Sequence, residues 1–173
     1  MDLKKKTKEA VRYFKFFLSY FFNYPFTPPK EVNFQMTNRC TLKCKMCNIW
    51  KLGKKGKEIE VEEMERILRE IKENWKETEY VSFVGGESLI RMKDTLRLIK
   101  YANSLGFQTN LVSNGTLINE KICKKLIEAG LKRIALSLDG KEKTHDFIRG
   151  KGNFKKVINA AKLFLKERKI TET

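Results

Sequence analysis

Three cysteines lie within eight consecutive positions and have the chemistry of a metal centre. Cys40, Cys44 and Cys47 form the pattern C-x3-C-x2-C. Thiolates are soft ligands that suit iron–sulfur clusters, zinc and Cu(I), whereas structural zinc takes four ligands in a closed tetrahedron. Only three ligands are local here. The spacing therefore favours a centre with one open metal position, which can bind an exogenous molecule.

Two further residues have the chemistry of a fourth ligand. Cys123 lies in a predicted helix among lysines, and His145 is the single histidine of the chain. Neither belongs to a second ligand pair such as C-x2-C or H-x3-H. We therefore interpret Cys123 as a small, half-buried apolar residue. We interpret His145 as a residue that caps a helix start or packs in the interior.

Glycine and polar residues follow three other apolar runs of the chain. These signals are Gly85–Gly86–Glu87, Ser113–Asn114–Gly115 and Asp139–Gly140. Asn-Gly and Asp-Gly are also ordinary turn dipeptides, so each signal is weak by itself. Because ligands of α/β folds bind at the carboxyl ends of the strands, the cysteines and these three signals together indicate one functional rim.

The elements that must position these residues alternate along the chain. Apolar residues at strand or helix spacing predict four strand–helix pairs. The predicted strands are Val32–Thr37, Tyr80–Val84, Phe107–Val112 and Arg133–Leu138, and the predicted helices are Ile59–Lys72, Lys93–Leu105, Asn119–Ala129 and Asn153–Lys166. Strict alternation implies a parallel sheet covered by helices, and hence an α/β fold.

The first thirty residues differ from this repeat. Residues 3–22 carry apolar, largely aromatic residues at helical spacing and predict a basic amphipathic helix. The apolar run is too short to span a bilayer, which takes about 20 residues, and it does not resemble a signal peptide. Two alternatives stay open: the helix packs on the main domain or a partner, or residues 8–22 contact a membrane surface. Pro25, Pro28 and Pro29 end the helix and form a stiff linker.

Length, composition and charge limit the classes of protein. A chain of 173 residues with 41% hydrophobic residues can bury a core, so it is neither disordered nor a disulfide mini-protein. The clustered cysteines indicate a reducing compartment, and we expect a cytoplasmic location. The net charge of +16 comes mostly from dispersed lysines, which disfavours a nucleic-acid partner. A zinc-binding nucleic-acid module using Cys40, Cys44, Cys47 and Cys123 is a lesser alternative.

The cysteine loop and the strand ends resemble one known family, the radical S-adenosylmethionine (radical SAM) enzymes. The stretch TNRCTLKCKMC is similar to their cluster loop, GGES to their GGE motif, and SNG to a strand end that helps to hold the cofactor. The stretches ALSLDG and HDFIRGKGNF resemble a branch with peptide-modifying and other SPASM-type members. These five stretches are Thr37–Cys47, Gly85–Ser88, Ser113–Gly115, Ala135–Gly140 and His145–Phe154.

The resemblance implies a cofactor set and a reaction. Cys40, Cys44 and Cys47 would bind three irons of a 4Fe-4S cluster, whose fourth iron chelates S-adenosylmethionine. Reductive cleavage of this cofactor yields a 5′-deoxyadenosyl radical that abstracts hydrogen from a substrate. The implied partners are a reductant such as ferredoxin or flavodoxin and an unknown small-molecule or peptide substrate. The residues implied in binding the cofactor are Met46, Gly85, Gly86, Glu87, Ser113, Asn114, Ser137, Asp139 and Arg149.

Side-chain chemistry suggests individual roles within this set. Gly85 and Gly86 allow close approach of the backbone because they lack a Cβ. Glu87 would pair with the cofactor ammonium or buttress its loop, and Arg149 would hold the methionine carboxylate by a fork contact. Ser113 or Asn114 would bind the cofactor carboxylate or ribose, and Ser137 and Asp139 would reach the ribose hydroxyls.

The chain departs from the family pattern at two places. Met46 stands where the family often has an aromatic residue near the adenine, and methionine can fill that space. The family core usually has six βα units, whereas this chain has four, and Lys169–Thr173 is similar to the opening of strand five. We therefore expect an N-terminal helix and linker over 1–30 and a partial (β/α) TIM-type barrel over 31–173. The alternative to an enzyme is a truncated, non-catalytic Fe–S-binding remnant or a subunit of a split protein.

Overall fold

Four parallel strands form one sheet at the centre of the molecule. The computed structural model describes residues 3–24, 26–53 and 57–171. The strands lie side by side in chain order, β1-β2-β3-β4. They are β1 (Glu31–Gln35), β2 (Tyr80–Val84), β3 (Gln108–Ser113) and β4 (Arg133–Leu136). The predicted α/β fold with four parallel βα units of a partial barrel is confirmed.

Helical segments connect each strand to the next. They are α1 (Leu3–Phe22) before the sheet, α2 (Ile49–Leu52) and α3 (Val61–Asn74) after β1, a 3-10 turn (Ser88–Arg91) and α4 (Met92–Ser104) after β2, α5 (Glu120–Glu128) after β3, and α6 (Glu142–Arg149) and α7 (Asn153–Thr171) after β4. Parallel neighbours need such crossover connections. The carboxyl ends of all four strands therefore meet at one edge, together with the loops that follow them.

The hydrophobic core gives these loops a rigid base. Val81 and Phe83 of β2 and Leu111 of β3 are fully buried. Met64 and Leu68, four residues apart on one face of α3, belong to the same core cluster. Close packing of this kind allows little movement of the strands, so the positions of the strand ends are fixed from below.

Most predicted boundaries that differ from the observed ones do so by one or two residues, and α7 extends five residues beyond its predicted end at Lys166. β1 spans Glu31–Gln35 rather than Val32–Thr37, and β4 ends at Leu136 rather than at Leu138. The short helices α2 and α6 were not predicted. Helix and strand ends are where local patterns carry the least information, because capping and loop contacts decide them.

The predicted opening of a fifth strand is wrong for the residues that the structure describes. Residues 169–171 continue α7, which ends at Thr171, and residues 172–173 lie outside the described residues. A strand is stabilised only when a neighbour pairs with its backbone groups. Residues 169–171 instead extend an existing helical hydrogen-bond ladder, which costs less than a new element.

The predicted N-terminal helix is confirmed, but its apolar face is not buried by the described part of the domain. Tyr13 is 74% exposed and Tyr20 86% exposed. The opposite face approaches the domain, where Arg12 donates to the carbonyl oxygen of Pro28 at 3.4 Å and lies 3.7 Å from Glu77. Pro25, which was predicted to end this helix, lies outside the described residues. Across the described ranges, no helix is both long and apolar enough to cross a membrane.

Candidate functional site

A cavity of about 170 Å³ lies at the carboxyl end of the sheet. It brings together ten of the twelve residues singled out from the sequence, together with the apolar residues Leu42, Ile49, Trp50 and Val112. The ten are Cys40, Cys44, Cys47, Met46, Gly85, Gly86, Ser113, Asn114, Ser137 and Arg149. Glu87 and Asp139 are not among the lining residues. Three thiols and the ends of the next three strands thus face a common space.

Gly85 and Gly86 allow the loop after β2 to contact the cysteine loop directly. A Cβ on Gly86 would lie 2.2 Å from the carbonyl oxygen of Arg39, and one on Gly85 would lie 2.5 Å from that of Thr37. Backbone hydrogen bonds join the same segments, from Gly86 to Thr37 at 2.8 Å and from Glu87 to Arg39 at 2.9 Å. The glycines are therefore required for loop-to-loop packing, a role that the sequence did not reveal.

Glu87 is buried beneath the rim and ties the ends of β2 and β3 together. Its side chain is 1% exposed. Its carboxylate accepts hydrogen bonds from the Ser113 hydroxyl at 3.0 Å and from the backbone N–H groups of Asn114 and Leu89 at 2.9 and 3.3 Å. Burial raises the pKa of Glu87, and these donors lower it again in part. Of the two roles expected for Glu87, its contacts match the buttress.

The Asn114 side chain connects the end of β3 to the cysteine loop. Its Nδ2 donates to the Sγ of Cys40 at 3.6 Å and to the Oγ1 of Thr41 at 3.1 Å. Its Oδ1 accepts from the backbone N–H and the hydroxyl of Thr116, at 3.0 and 2.7 Å. All polar atoms of this amide are thus in contact with protein groups.

Arg149 and Asp139 form an ion pair beside the cavity. The Nε of Arg149 donates to Oδ2 of Asp139, and its Nη2 donates to Oδ1 at 3.2 Å. Hydrogen bonding to Arg149 lowers the pKa of Asp139. Sequence reasoning assigned the two residues to different groups of the cofactor. The structure pairs them with each other and leaves only Arg149 at the cavity wall.

Helix α6 holds the middle of the cysteine loop. The backbone N–H of Lys45 donates to the carbonyl oxygen of Ile148 at 2.9 Å. The Lys45 Nζ lies 3.2 Å from the centroid of the Phe147 ring, a cation–π contact. These residues are about a hundred positions apart in the chain, so no local pattern could have paired them.

Glu58 holds the beginning of the cysteine loop and was also missed from the sequence. Its carboxylate accepts from Nε and Nη2 of Arg39, at 3.1 and 3.0 Å, and from the hydroxyl of Thr37. Arg91 anchors the same region by donating to the carbonyl oxygens of Met36 and Ile59, at 3.0 and 2.9 Å. The loop is therefore held at its start and in its middle before any cofactor binds.

His145 and Cys123 lie outside the residues that line the cavity. His145 is fully buried, its ring packs against Phe154, and its Nδ1 accepts from the backbone N–H of Asp139 at 3.3 Å. Cys123 is fully buried, and burial raises the pKa of its thiol to about 11, so the thiol is protonated at neutral pH. Neither residue is placed to act as a fourth ligand, which removes the basis of a four-cysteine zinc site.

The three loop cysteines fit an iron–sulfur cluster better than a single metal ion. Among the described residues, no group of three or more His, Cys, Asp or Glu side chains converges closely enough to hold one ion. A 4Fe-4S cluster does not need such convergence, because each cysteine binds a different iron. Burial raises the pKa of the Cys44 thiol, while the guanidinium of Arg149 lowers it. Thiols, a cation and an adjoining cavity match an anionic cluster with an open iron.

A larger cleft, about 500 Å³, lies between α1 and the opposite end of the sheet. Arg12, Lys15, Lys30, Glu77 and Glu79 are among its lining residues. It holds no cysteine and none of the strand-end motifs. We therefore assign the functional site to the smaller cavity, on the basis of its chemistry rather than its size.

Known proteins share this architecture. The family described as the radical SAM superfamily matches residues 34–171. The PqqA peptide cyclase of Bradyrhizobium diazoefficiens is 35% identical over 115 residues, which are 66% of this chain and 30% of that protein. The Fe-coproporphyrin III synthase of Methanosarcina barkeri is 37% identical over 125 residues, which are 71% of this chain and 31% of that protein.

A solved structure described as native anSMEcpe with bound AdoMet and Kp18Cys peptide is similar at a TM-score of 0.68 and 27% identity. The similarity covers 82% of this chain and 41% of that one. The chain thus spans less than a third of the two curated relatives and about two fifths of this structure. Because the family match runs from β1 to α7 and includes the cysteine loop and all the strand ends, the chain belongs to the radical SAM superfamily.

Proposed function

We propose that this chain binds a 4Fe-4S cluster through Cys40, Cys44 and Cys47 and binds S-adenosylmethionine in the adjoining cavity, as a radical SAM enzyme. When bound, the cluster would supply one electron from the reductant for cleavage of the sulfonium C–S bond, giving methionine and a 5′-deoxyadenosyl radical that would abstract hydrogen from a substrate. The observation that carries the proposal is the convergence of the three cysteines, Gly85–Gly86 and Ser113–Asn114 on one cavity.

The chain's own residues hold and orient the cofactors. The backbone at Gly85 and Gly86 lines the cavity without side chains and presents polar main-chain groups to the cofactor's amino group. Arg149 offers a positive charge to the methionine carboxylate, and Asp139 keeps its guanidinium in place. Ser137 provides a hydroxyl for the ribose. Met46 lines the cavity and is 57% exposed, so its apolar side chain offers a surface for the adenine.

A peptide is the substrate class that the relatives favour. The descriptions of two similar proteins name a peptide: the PqqA peptide cyclase and the anSMEcpe structure with bound Kp18Cys peptide. The Fe-coproporphyrin III synthase is a similar protein whose name gives a porphyrin rather than a peptide. We further propose that the reductant is a small acidic carrier such as ferredoxin or flavodoxin, since a chain of net charge +16 attracts an acidic partner.

Anaerobic reconstitution tests the reaction. We expect the chain to take up iron and sulfide in the ratio of a 4Fe-4S cluster and, with dithionite and S-adenosylmethionine, to release 5′-deoxyadenosine. Cys44→Ala should lose the cluster, whereas Cys123→Ala, a buried cysteine away from the cavity, should retain it. Zinc without iron would overturn the proposal. A cluster that forms without any 5′-deoxyadenosine would favour the non-catalytic remnant or split subunit.

We also propose that α1 docks on an anionic membrane surface, and one observation favours this second role. The apolar face of α1 points away from the domain, while its polar face carries the contacts to Pro28 and Glu77. Tyr13 and Tyr20 combine an aromatic ring with a polar tip, a combination enriched at membrane interfaces. Lys6 is exposed on the same helix, and the chain's net charge complements anionic lipid.

Vesicle sedimentation tests this docking. The chain should bind phosphatidylcholine vesicles that contain phosphatidylserine, and binding should weaken with added salt. Phe17→Ser with Tyr20→Ser should weaken binding at least about tenfold, whereas Glu128→Gln on the exposed end of α5 should not change it. Absence of vesicle binding would overturn the membrane proposal. A dimer in light scattering that dissociates in the double variant would also overturn it, in favour of a second copy of the chain on this face.

A further inference from the structure

The sulfur of Cys40 is approached by two hydrogen-bond donors, one of which is the Asn114 side chain. The Asn114 Nδ2 lies 3.6 Å from the Cys40 Sγ, within the range of an N–H···S hydrogen bond. The backbone N–H of Leu42 approaches the same sulfur at 3.5 Å. Cys40 therefore has two donors, one from its own loop and one from the end of β3, 74 residues further along the chain.

The orientation of the Asn114 amide is determined by its other contacts. Oδ1 accepts from both the backbone N–H and the hydroxyl of Thr116. If the amide were flipped, its NH₂ group would face the backbone N–H of Thr116, donor against donor. The oxygen must therefore point to Thr116 and the nitrogen to Cys40. The hydroxyls of Thr41 and Thr116 lie 2.6 Å apart and close the network.

The position of Asn114 itself is fixed from below. Its backbone N–H donates to the buried carboxylate of Glu87 at 2.9 Å, and Asn114 is only 6% exposed. The donor is thus preorganised and does not depend on a mobile surface side chain. A substitution at Asn114 removes the side-chain amide but leaves this backbone hydrogen bond.

We propose that Asn114 is a positioning residue for the cluster ligand Cys40, rather than a contact to S-adenosylmethionine; this inference rests on the proposed cluster. Its N–H group stabilises negative charge on the Cys40 sulfur. Reduction adds negative charge to a cluster, and hydrogen bonds to its sulfurs therefore raise its reduction potential. The same hydrogen bond holds the thiolate in the direction of its iron and slows the loss of that iron.

Redox titration of the reconstituted chain without S-adenosylmethionine tests this role. We expect Asn114→Ala to give a cluster with a more negative midpoint potential. Electron paramagnetic resonance of the reduced cluster monitors the titration. Asn114→Asp, which keeps the shape but replaces the donor by a carboxylate, should give a shift in the same direction and at least as large. Both variants should lose iron to a chelator several-fold faster than the unchanged chain.

Thr41→Ala is the matched control. It removes the contacts of the Thr41 hydroxyl to Asn114 and to Thr116, and it leaves the donor to Cys40 and both donors from Thr116 to Oδ1 of Asn114 in place. Its midpoint potential should therefore stay near that of the unchanged chain. Equal potentials in all four proteins would overturn the inference. So would a shift in Thr41→Ala as large as that in Asn114→Ala, or an effect of Asn114→Ala seen only with S-adenosylmethionine. If the unchanged chain takes up no cluster, the proposed function fails instead.

Discussion

The carboxyl end of the sheet and helix α1 place their polar and apolar groups in opposite ways. At the sheet end, polar groups are buried and paired, as Glu87 is with Ser113 and Asn114. In α1, aromatic groups are exposed, and Tyr20 is 86% accessible to solvent. Burial of a polar group is tolerated only when it is hydrogen-bonded, whereas exposure of aromatic rings forgoes the free energy of burial.

This difference separates what each region needs. Apart from Nε2 of His145, which is buried without a partner, the buried side-chain polar groups of the described residues are hydrogen-bonded. The loops at the sheet end are therefore preorganised before a cofactor arrives. The apolar face of α1 is exposed among the described residues, so it would gain the free energy of burial from the proposed docking surface. Substitutions at the sheet end should therefore change stability and cluster binding, while substitutions on α1 should change association alone.

The largest effect is expected from Gly86→Ala. The added Cβ would lie 2.2 Å from the carbonyl oxygen of Arg39, so the loop after β2 and the cysteine loop must separate. Overpacking against fixed backbone costs about 3 kcal/mol. Urea unfolding should show this loss in the free energy of unfolding, and the reconstituted variant should hold little iron.

Gly152→Ala is the control for the glycine variant. A Cβ at Gly152 would meet no atom within 4 Å, although its φ of +81° favours glycine. Its cost should be about 1 kcal/mol, from backbone strain alone, with full iron content. If Gly86→Ala behaves like Gly152→Ala, the loop-to-loop contact does not organise the site.

Glu87→Gln should have the next largest effect. The Glu87 carboxylate accepts from the Ser113 hydroxyl and from the N–H groups of Asn114 and Leu89. A glutamine would direct its NH₂ group at one of these donors and leave a buried group unpaired, at a cost of about 2 kcal/mol. Chemical unfolding measures this cost. Glu128→Gln, at an exposed position on α5, should change the free energy of unfolding by no more than about 0.5 kcal/mol. Equal effects of the two variants would contradict the role of Glu87 as a buttress of the loop.

A smaller, pH-dependent effect is expected from Asp139→Asn. The ion pair with Arg149 lowers the pKa of Asp139 below its usual 3.8. A lowered carboxyl pKa stabilises the fold above the unfolded-state pKa, and this contribution is lost as the pH falls through the folded-state pKa. The variant should thus lose about 1–2 kcal/mol at pH 7, and this difference should shrink below pH 3.8. A difference that is constant with pH would exclude the ion pair as its source.

The sequence contained enough to predict the rim of the site but not its support. The cysteine spacing and the glycine and polar residues after each apolar run are local patterns, and they indicated seven of the residues that line the cavity. Met46, Ser137 and Arg149 were implied only by the family resemblance. The supporting contacts instead join residues that lie far apart in the chain, Lys45 with Phe147 and Arg39 with Glu58. No periodicity or spacing links such pairs, because only the folded crossover connections bring them together.

Asp139 and the end of α7 show two further limits. Asp139 looked like a ligand-binding residue because it follows a strand, yet its carboxylate pairs with Arg149; a polar residue at a strand end can equally well support its neighbour. Lys169–Thr173 was expected to open a fifth strand, but residues 169–171 continue α7. Whether a short segment pairs as a strand depends on what lies beside it, which the local sequence does not contain.

The smallest effect on stability, and the sharpest contrast with the sheet end, is expected on α1. Phe17→Ser together with Tyr20→Ser removes two exposed rings, 57% and 86% accessible. Because these rings have little contact with the domain, the free energy of unfolding should change by no more than about 0.5 kcal/mol. Iron uptake should be unchanged, while vesicle binding should fall at least about tenfold, since each ring contributes more than 1 kcal/mol when buried. A large loss of stability in solution would show instead that the face packs on this chain, and the contrast between the two regions would disappear.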